Sequence, residues 1–396
     1  MELNNLNHFD VIIVGGGPAG LMSAYVCAKS GKRTALMDHK ATVGRKFLVA
    51  GDGGLNLSNT EDSNDFLSRY NHEGIKECVK NFSPQDLRTW MESIGVSTFV
   101  GSSGKIFPTE TFNPAKVLKH IVDALTELGV KIYAKHKLLD FSTGSAVFEC
   151  NEQQERFTFS HMVLALGGKS WAKTGSDGTW VDLFKSKHIE TTSFQASNAG
   201  FNVSWKEELK LHFGKVIQNV NISLGGKSKY GNLVISEYGL EGTPIYWLNP
   251  AYREHGFSKL IIDFIPSKTE EEVVQLLAST DKLTDLLRFK LKLKSSTIAL
   301  IKSGLTKAEF NDRITLSKAL KNFEIEVKGT RSVDEAISTV GGVAWSELNE
   351  HFGLLRFPSV YCAGEMLDWD APTGGYLLQA SFATGFTVAS EICRVK

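Results

Sequence analysis

The chain has 396 residues, 42 % hydrophobic and 22 % charged, a globular composition with room for about two or three domains. Lys and Arg (44) balance Asp and Glu (44), so no whole-molecule field draws it to nucleic acid or anionic lipid. Five scattered cysteines (Cys27, Cys78, Cys150, Cys362, Cys393) include no C-x-x-C, which argues against a disulfide scaffold, a zinc ribbon or a dithiol redox centre and points to a reducing, cytoplasmic setting.

In chain order, the uncharged stretch from Val11 to Ala28 is interrupted by Gly15-Gly16-Gly17-Pro18 and preceded by acids without Lys or Arg, which fits neither a membrane span nor a signal peptide. It divides instead into a buried strand at Asp10–Val14, a Gly-rich turn and a helix from about Pro18 to Ser30, stopped by Gly31. A second strand, Thr34–Asp38, completes a β-α-β unit. Loops and short helices fill 40–112. Asn113-Pro114 predicts an N-cap with proline in the first helical position, and Gly129 ends that helix. Strands follow at 130–134, 137–141, 145–150 and 155–159, then Met162–Leu166 ending on Gly167-Gly168. Period-two alternation from Phe201 to Pro266 predicts a β-rich module, and Lys268–Lys321 has a short helical pattern. A strand at Val360–Ala363 and a long helix after Gly375 return to the first style. The expected architecture is α/β: a discontinuous Rossmann-like domain (1–192 and 331–396) interrupted by a β-rich module (193–267) and a small helical module (268–330).

The chemistry starts at Gly15-x-Gly17-x-x-Gly20. Gly15 permits the tight turn, Gly17 lets a pyrophosphate approach the backbone, and Gly20 lets the helix pack on the sheet. Pro18 and Ala19 open the helix, whose free N–H groups and positive dipole end face the phosphates. Asp38 ends the second strand, where it can accept from ribose hydroxyls. Only one such fingerprint exists, so one dinucleotide is held tightly and any second docks without its own Rossmann unit. Two further segments favour FAD. Ala165 and Gly167 end a strand where an extended cofactor could cross the sheet edge. Gly364-Glu365 and Gly375-Tyr376-Leu377-Leu378-Gln379 supply an acid for the ribitol and a helix start whose amides could face flavin N1 and O2.

Gly44-Arg45-Lys46-x-Leu48-x-x-Gly51-x-Gly53-Gly54-x-Asn56-x-Ser58-Asn59 resembles the signature of the BaiN/YhiN-type NAD(P)/FAD-dependent oxidoreductases. Tyr238-Gly239-Leu240-Glu241-Gly242-Thr243-Pro244, Ile262–Pro266, Gly341-Gly342-Val343 and Ala363-Gly364-Glu365-x-Leu367-Asp368 match the same family in order along nearly the whole chain. The resemblance implies FAD, a split FAD-binding domain, and an insertion made of a β-barrel-like part and a helical part. It places Arg45 and Lys46 along the pyrophosphate and ribitol, Asn56 and Ser58 near the flavin, and Gly375, Tyr376, Leu378 and Gln379 at its pyrimidine end, with Gly44 and Gly51 also among the cofactor-binding residues. Leu138 would touch the adenine. Where the family motif reads Gly-Arg-Cys-Asn, this chain has Gly53-Gly54-Leu55-Asn56, so roles tied to that Arg or Cys do not transfer.

Ten histidines show no H-x-x-H spacing, and no metal site is read from them. Tyr376 is a candidate proton donor, with ring packing against the isoalloxazine as the alternative; Cys362 reads as a core residue. Arg288, Lys290, Lys292 and Lys294 form an acid-free basic run, either a solvated face or an RNA-phosphate contact. The expected activity is transfer of hydride from transiently docked NAD(P)H through FAD to a carbonyl-conjugated C=C bond of a small molecule in a cleft beside the insertion. The alternatives are reduction of uridine in RNA and a non-catalytic flavin-dependent redox sensor.

Overall fold

The structure, a computed structural model, describes residues 7–50, 54–109, 113–256, 258–279 and 282–394. The chain divides into two compact units, Met1–Gln195 with Ser338–Lys396, and Ala196–Ile337.

In the first unit, strand β1 (His8–Val14), helix α1 (Pro18–Lys29) and strand β2 (Thr34–Asp38) form the expected β-α-β unit. β1 lies between β2 and Gln153–Leu164, parallel to both, with Ile12 facing Ala35 on one side and Met162 on the other. The sheet runs from Gly353–Leu354 through Phe357–Cys362, Gln153–Leu164, β1 and β2 to Lys131–Ala134. A branch, Lys137–Ser142 and Ser145–Cys150, adds antiparallel to Gln153–Leu164. Val11, Ile12 and Ile13 are fully buried, as a parallel strand covered on both faces requires. The segments 155–159 and 162–166, expected as two strands, are one continuous strand, Gln153–Leu164. Its outer half pairs with the antiparallel branch and its inner half with β1, so the polar residues between them do not interrupt it.

Helix Pro114–Glu127 begins at Asn113, whose side chain accepts from Lys116 N. The final helix, Tyr376–Arg394, packs along α1. The helices approach closely because Gly385 has no side chain: a Cβ there would stand 2.2 Å from Ala19 O. The Ser23 hydroxyl lies 2.9 Å from Ala19 O and 3.0 Å from Gly385 O, satisfying a polar group at the seam.

The second unit has an antiparallel sheet in the order Phe201–Asn202, Gly239–Glu241, Lys227–Ser236, Lys215–Leu224, Lys259–Asp263, Phe323–Glu326. In Lys215–Leu224 the alternation is broken by a bulge between Ile217 and Val220, with Asn219 at φ 56°, which keeps both apolar side chains inside. The helices after Lys268 do not form a core of their own. Val273, Leu286, Ile298 and Leu316 share one hydrophobic cluster with Ile222 and Ile262 of the sheet. Sheet and helices lie together in the compact unit Ala196–Ile337 and share one core. A period-two run and a helical run look independent in sequence, whereas their apolar faces need each other for burial.

Candidate functional site

The β1–α1 turn is built by backbone proximity. Gly15 sits at φ +105°, and a Cβ on it would stand 2.2 Å from Ala165 O. A Cβ on Gly20 would stand 1.9 Å from Gly15 O. Neither position tolerates a side chain, and both constraints arise inside the fold. Gly17 differs: among the described residues, apart from its chain neighbours, nothing lies within 4 Å of where its Cβ would be. It is the extended N-cap residue of α1, whose first N–H groups follow it.

That open side belongs to a cavity of about 580 Å³ within the first unit, in the size range of small-molecule sites. Of the residues singled out from sequence, Gly15, Gly17, Pro18, Ala19, Asp38, Gly44, Arg45, Lys46, Leu138, Ala165, Gly167, Gly364 and Glu365 line it. Gly20 lies behind the turn as a packing residue, and Gly51 falls outside the described residues.

Asp38 also lines the cavity. Its carboxylate accepts from Gly16 N at 2.9 Å and from Lys40 N at 2.8 Å, which fixes the acid against the turn. Burial lowers the His39 pKa, and the neighbouring Asp38 charge opposes that shift. Elsewhere on the wall, Lys46 Nζ donates to Glu365 Oε2 at 2.7 Å and to Ser170 Oγ at 2.8 Å. Glu365 Oε1 accepts from Thr339 N at 3.1 Å. Lys46 follows the β-α-β unit and Glu365 comes from the C-terminal segment, so this ion pair ties together stretches 319 residues apart. Gly364 is held by Trp369 Nε1, which donates to its carbonyl at 2.9 Å, and by Thr384 Oγ1, which accepts from its N–H at 2.9 Å.

The cavity fits a dinucleotide on two structural observations. The volume beside Gly17 at the helix N-terminus is open to a phosphate group. Two buried polar atoms of lining residues, His39 Nε2 and Ser176 Oγ, have no hydrogen-bond partner among the described residues, as expected of groups that await a polar ligand.

One wall went unread in the sequence. Residues 174–186, between the glycines after Leu164 and helix Trp180–Ser186, contribute Ser176, Asp177 and Trp180. Trp180 Nε1 donates to Gly167 O at 2.9 Å and so pins the strand end. The available signal was Gly175 and Gly178, both at positive φ, flanking Ser176-Asp177 just ahead of an aromatic helix start.

A second group of expected residues gathers away from the lining. Asn56, Ser58, Gly375, Tyr376, Leu378 and Gln379 lie outside it. Gly375, at φ +94°, passes so close to the strand Ser58–Asn59 that a Cβ would stand 2.6 Å from the Ser58 backbone. Gln379 is fully buried and donates to Phe82 O at 2.6 Å. The Tyr376 hydroxyl donates to Glu61 Oε2 at 2.7 Å, and Arg69 forks onto the same carboxylate at 2.6 and 2.9 Å. Burial, then Glu61, raise the Tyr376 pKa. Its ring packs against Phe66 at 4.9 Å. The structure thus gives Tyr376 a carboxylate partner and an aromatic neighbour of its own. Cys362 is fully buried with its pKa raised by desolvation, a core residue as expected.

A parallel sheet with a glycine-rich first turn, an acid closing the second strand and an open helix N-terminus defines a Rossmann-type dinucleotide-binding protein. The sequence profile of the HI0933-like protein Rossmann domain matches residues 9–391, and the chain belongs to this family of flavoprotein oxidoreductases. Its relatives include a 3-dehydro-bile acid delta(4,6)-reductase of Clostridium scindens, 25 % identical over 94 % of this chain and 96 % of the relative. A ribosomal RNA dihydrouridine synthase of Escherichia coli is 21 % identical over 99 % of this chain and 100 % of the relative. Among solved structures, the 3-ketosteroid-delta4-(5alpha)-dehydrogenase of Rhodococcus jostii covers 100 % of this chain and 98 % of its own, with TM-score 0.55 and 12 % identity. A 3-ketosteroid delta1-dehydrogenase of Sterolibacterium denitrificans covers 98 % and 100 %, with TM-score 0.52 and 11 % identity. At those identities the likeness is one of fold. Among the described residues, no helix is long and apolar enough to cross a membrane.

Proposed function

We propose that this chain binds FAD in the cavity of the first unit and reduces a carbonyl-conjugated C=C bond of a small molecule, with NAD(P)H as transient donor and the cytoplasm as its setting. The observation that carries the reading is Gly17: an open position at a helix N-terminus, on the wall of a cavity that Asp38 also lines. When bound, the flavin supplies hydride from its N5 atom. The chain's own residues do the rest. The α1 amides hold the pyrophosphate, Asp38 is placed by the Gly16 and Lys40 amides to accept from ribose, and Lys46, held by Glu365, sets a positive charge on the wall. Similarity over nearly the full length to a reductase whose name specifies a bile-acid substrate supports the conjugated-alkene class.

One surface supports a second acceptor. Arg288, Lys290, Lys292 and Lys294 are exposed, and Phe289 between them is 69 % exposed. Cations interleaved with an aromatic suit RNA phosphate and base stacking, and two relatives carry the name ribosomal RNA dihydrouridine synthase. The deciding experiment is the visible spectrum of the purified protein, repeated anaerobically with NADH and NADPH and then with an added enone or with RNA. Bleaching by a nicotinamide and recovery by the enone is the expected result. A colourless protein that takes up no flavin overturns the reading, and recovery only with RNA selects the second acceptor.

A further inference from the structure

Among the described residues, one cluster outside the proposed chemistry brings together three different metal-donor types. Donor atoms of His136, Cys150 and Glu155 all lie within 4.8 Å of one another. Sequence spacing conceals them because a sheet ladder assembles them. Glu155 pairs with Phe148 across the antiparallel strands, and Cys150, two residues beyond Phe148, shares its face of the pleat. Lys137 pairs with Glu149, so one further step of that ladder sets His136 opposite Cys150.

The imidazole is already oriented. His136 Nδ1 lies 2.8 Å from Ala134 O, and because a carbonyl only accepts, Nδ1 carries the proton. On the other side of the ring, Nε2 lies 3.8 Å from Glu155 Oε2. A ring nitrogen fixed by a backbone carbonyl on its other side is the usual outer-sphere support of a metal-bound histidine.

We propose that His136, Cys150 and Glu155 bind a borderline divalent transition cation of the zinc type, with water completing a tetrahedron. Imidazole, thiolate and carboxylate supply the N, S and O donors that zinc accepts, and the two anionic ligands neutralise its charge. Tetrahedral zinc needs donors roughly 3.5 Å apart, so the cluster must close by about 1 Å. Glu155, whose side chain is 41 % exposed, has the freedom to do this by changing rotamer. Cys150 binds as the thiolate, its proton passing to solvent. His136 also lines the cavity next to Lys137 and Leu138, so the cation would stiffen that wall.

The test uses the full-length protein titrated with Co²⁺, read at the red end of the spectrum beyond the absorption of oxidised flavin. One equivalent should produce the intense ligand-field bands of tetrahedral cobalt. Cys150→Ser should abolish them, and Glu155→Gln should weaken binding about tenfold or more. Both side chains are partly exposed at the hairpin, and circular dichroism checks that the variants fold. Zn²⁺ should also shield Cys150 from alkylation, as read by peptide mass spectrometry. Absence of the tetrahedral bands, or unchanged cobalt affinity in folded Cys150→Ser and Glu155→Gln, overturns the assignment.

Discussion

Gly17 and Gly375 show how residues of one type, both flagged for a cofactor, do different work. Gly17 keeps a volume open, while Gly375 permits an approach of backbone to backbone. Gly17→Val should therefore leave the fold within about 1 kcal/mol of the parent while weakening flavin retention about 100-fold, because the new methyls occupy only ligand space. Thermal unfolding of the apoprotein, together with a flavin titration, checks both halves. Gly375→Ala should do the reverse, costing about 3 kcal/mol of stability through the left-handed backbone and the Ser58 clash. A Gly375→Ala protein as stable as the parent would contradict the close approach. Lys46→Met should leave Glu365 without its cation and reduce flavin affinity roughly tenfold, discounted because both side chains are partly exposed. The cysteines separate in the same way. Cys393, receiving hydrogen bonds from Cys27 and Ser30 near Lys32, is pulled below the usual thiol range, whereas burial pushes Cys78 and Cys362 up. Iodoacetamide at neutral pH should modify Cys393 well before Cys78 or Cys362, as read by peptide mass spectrometry.

At the scale of elements, the β-α-β unit was legible because every part of it is local. A buried apolar run, a glycine-rich turn, a helix stop and a terminal acid lie within about thirty residues of each other. The Pro114 helix and the final helix were legible for the same reason. The packing of the final helix on α1 was not, because it depends on Gly385 meeting Ala19 across 366 positions. Gly385→Ala should force the helices apart and cost about 2–4 kcal/mol, measurable by denaturant unfolding. The wall at 174–186 escaped notice because its glycines and polar residues read as an ordinary loop. Only the return of Trp180 onto Gly167 makes that loop part of the cavity.

For the whole molecule, pH dependence follows from half-buried histidines. Burial holds His39, His72 and His161 below the ordinary imidazole pKa. The unfolded chain takes up protons near pH ~6.5, where these folded sites resist them. Stability is therefore fully present above that pH and is lost as pH falls through the lower folded values. The surface carboxylates Glu73 and Glu335, lowered by hydrogen bonds from Lys76 and Arg331, add a second loss further down. Melting temperature should fall between pH 7 and 5 at fixed ionic strength, and His39→Gln should flatten part of that slope. A melting temperature independent of pH over this range would contradict the assignment.

The sequence by itself determined the class of fold, the dinucleotide fingerprint and the family, because these are written in hydrophobic period, glycine spacing and short motifs that neighbours along the chain enforce. Tertiary structure alone decided which flagged residues share a cavity and which pack the fold, that sheet and helices of the inserted unit bury one core, and that His136, Cys150 and Glu155 meet. The physical reason is the same in each case. Steric exclusion and the pairing of buried polar groups act between atoms adjacent in space, and strand ladders and helix seams create those adjacencies across hundreds of residues.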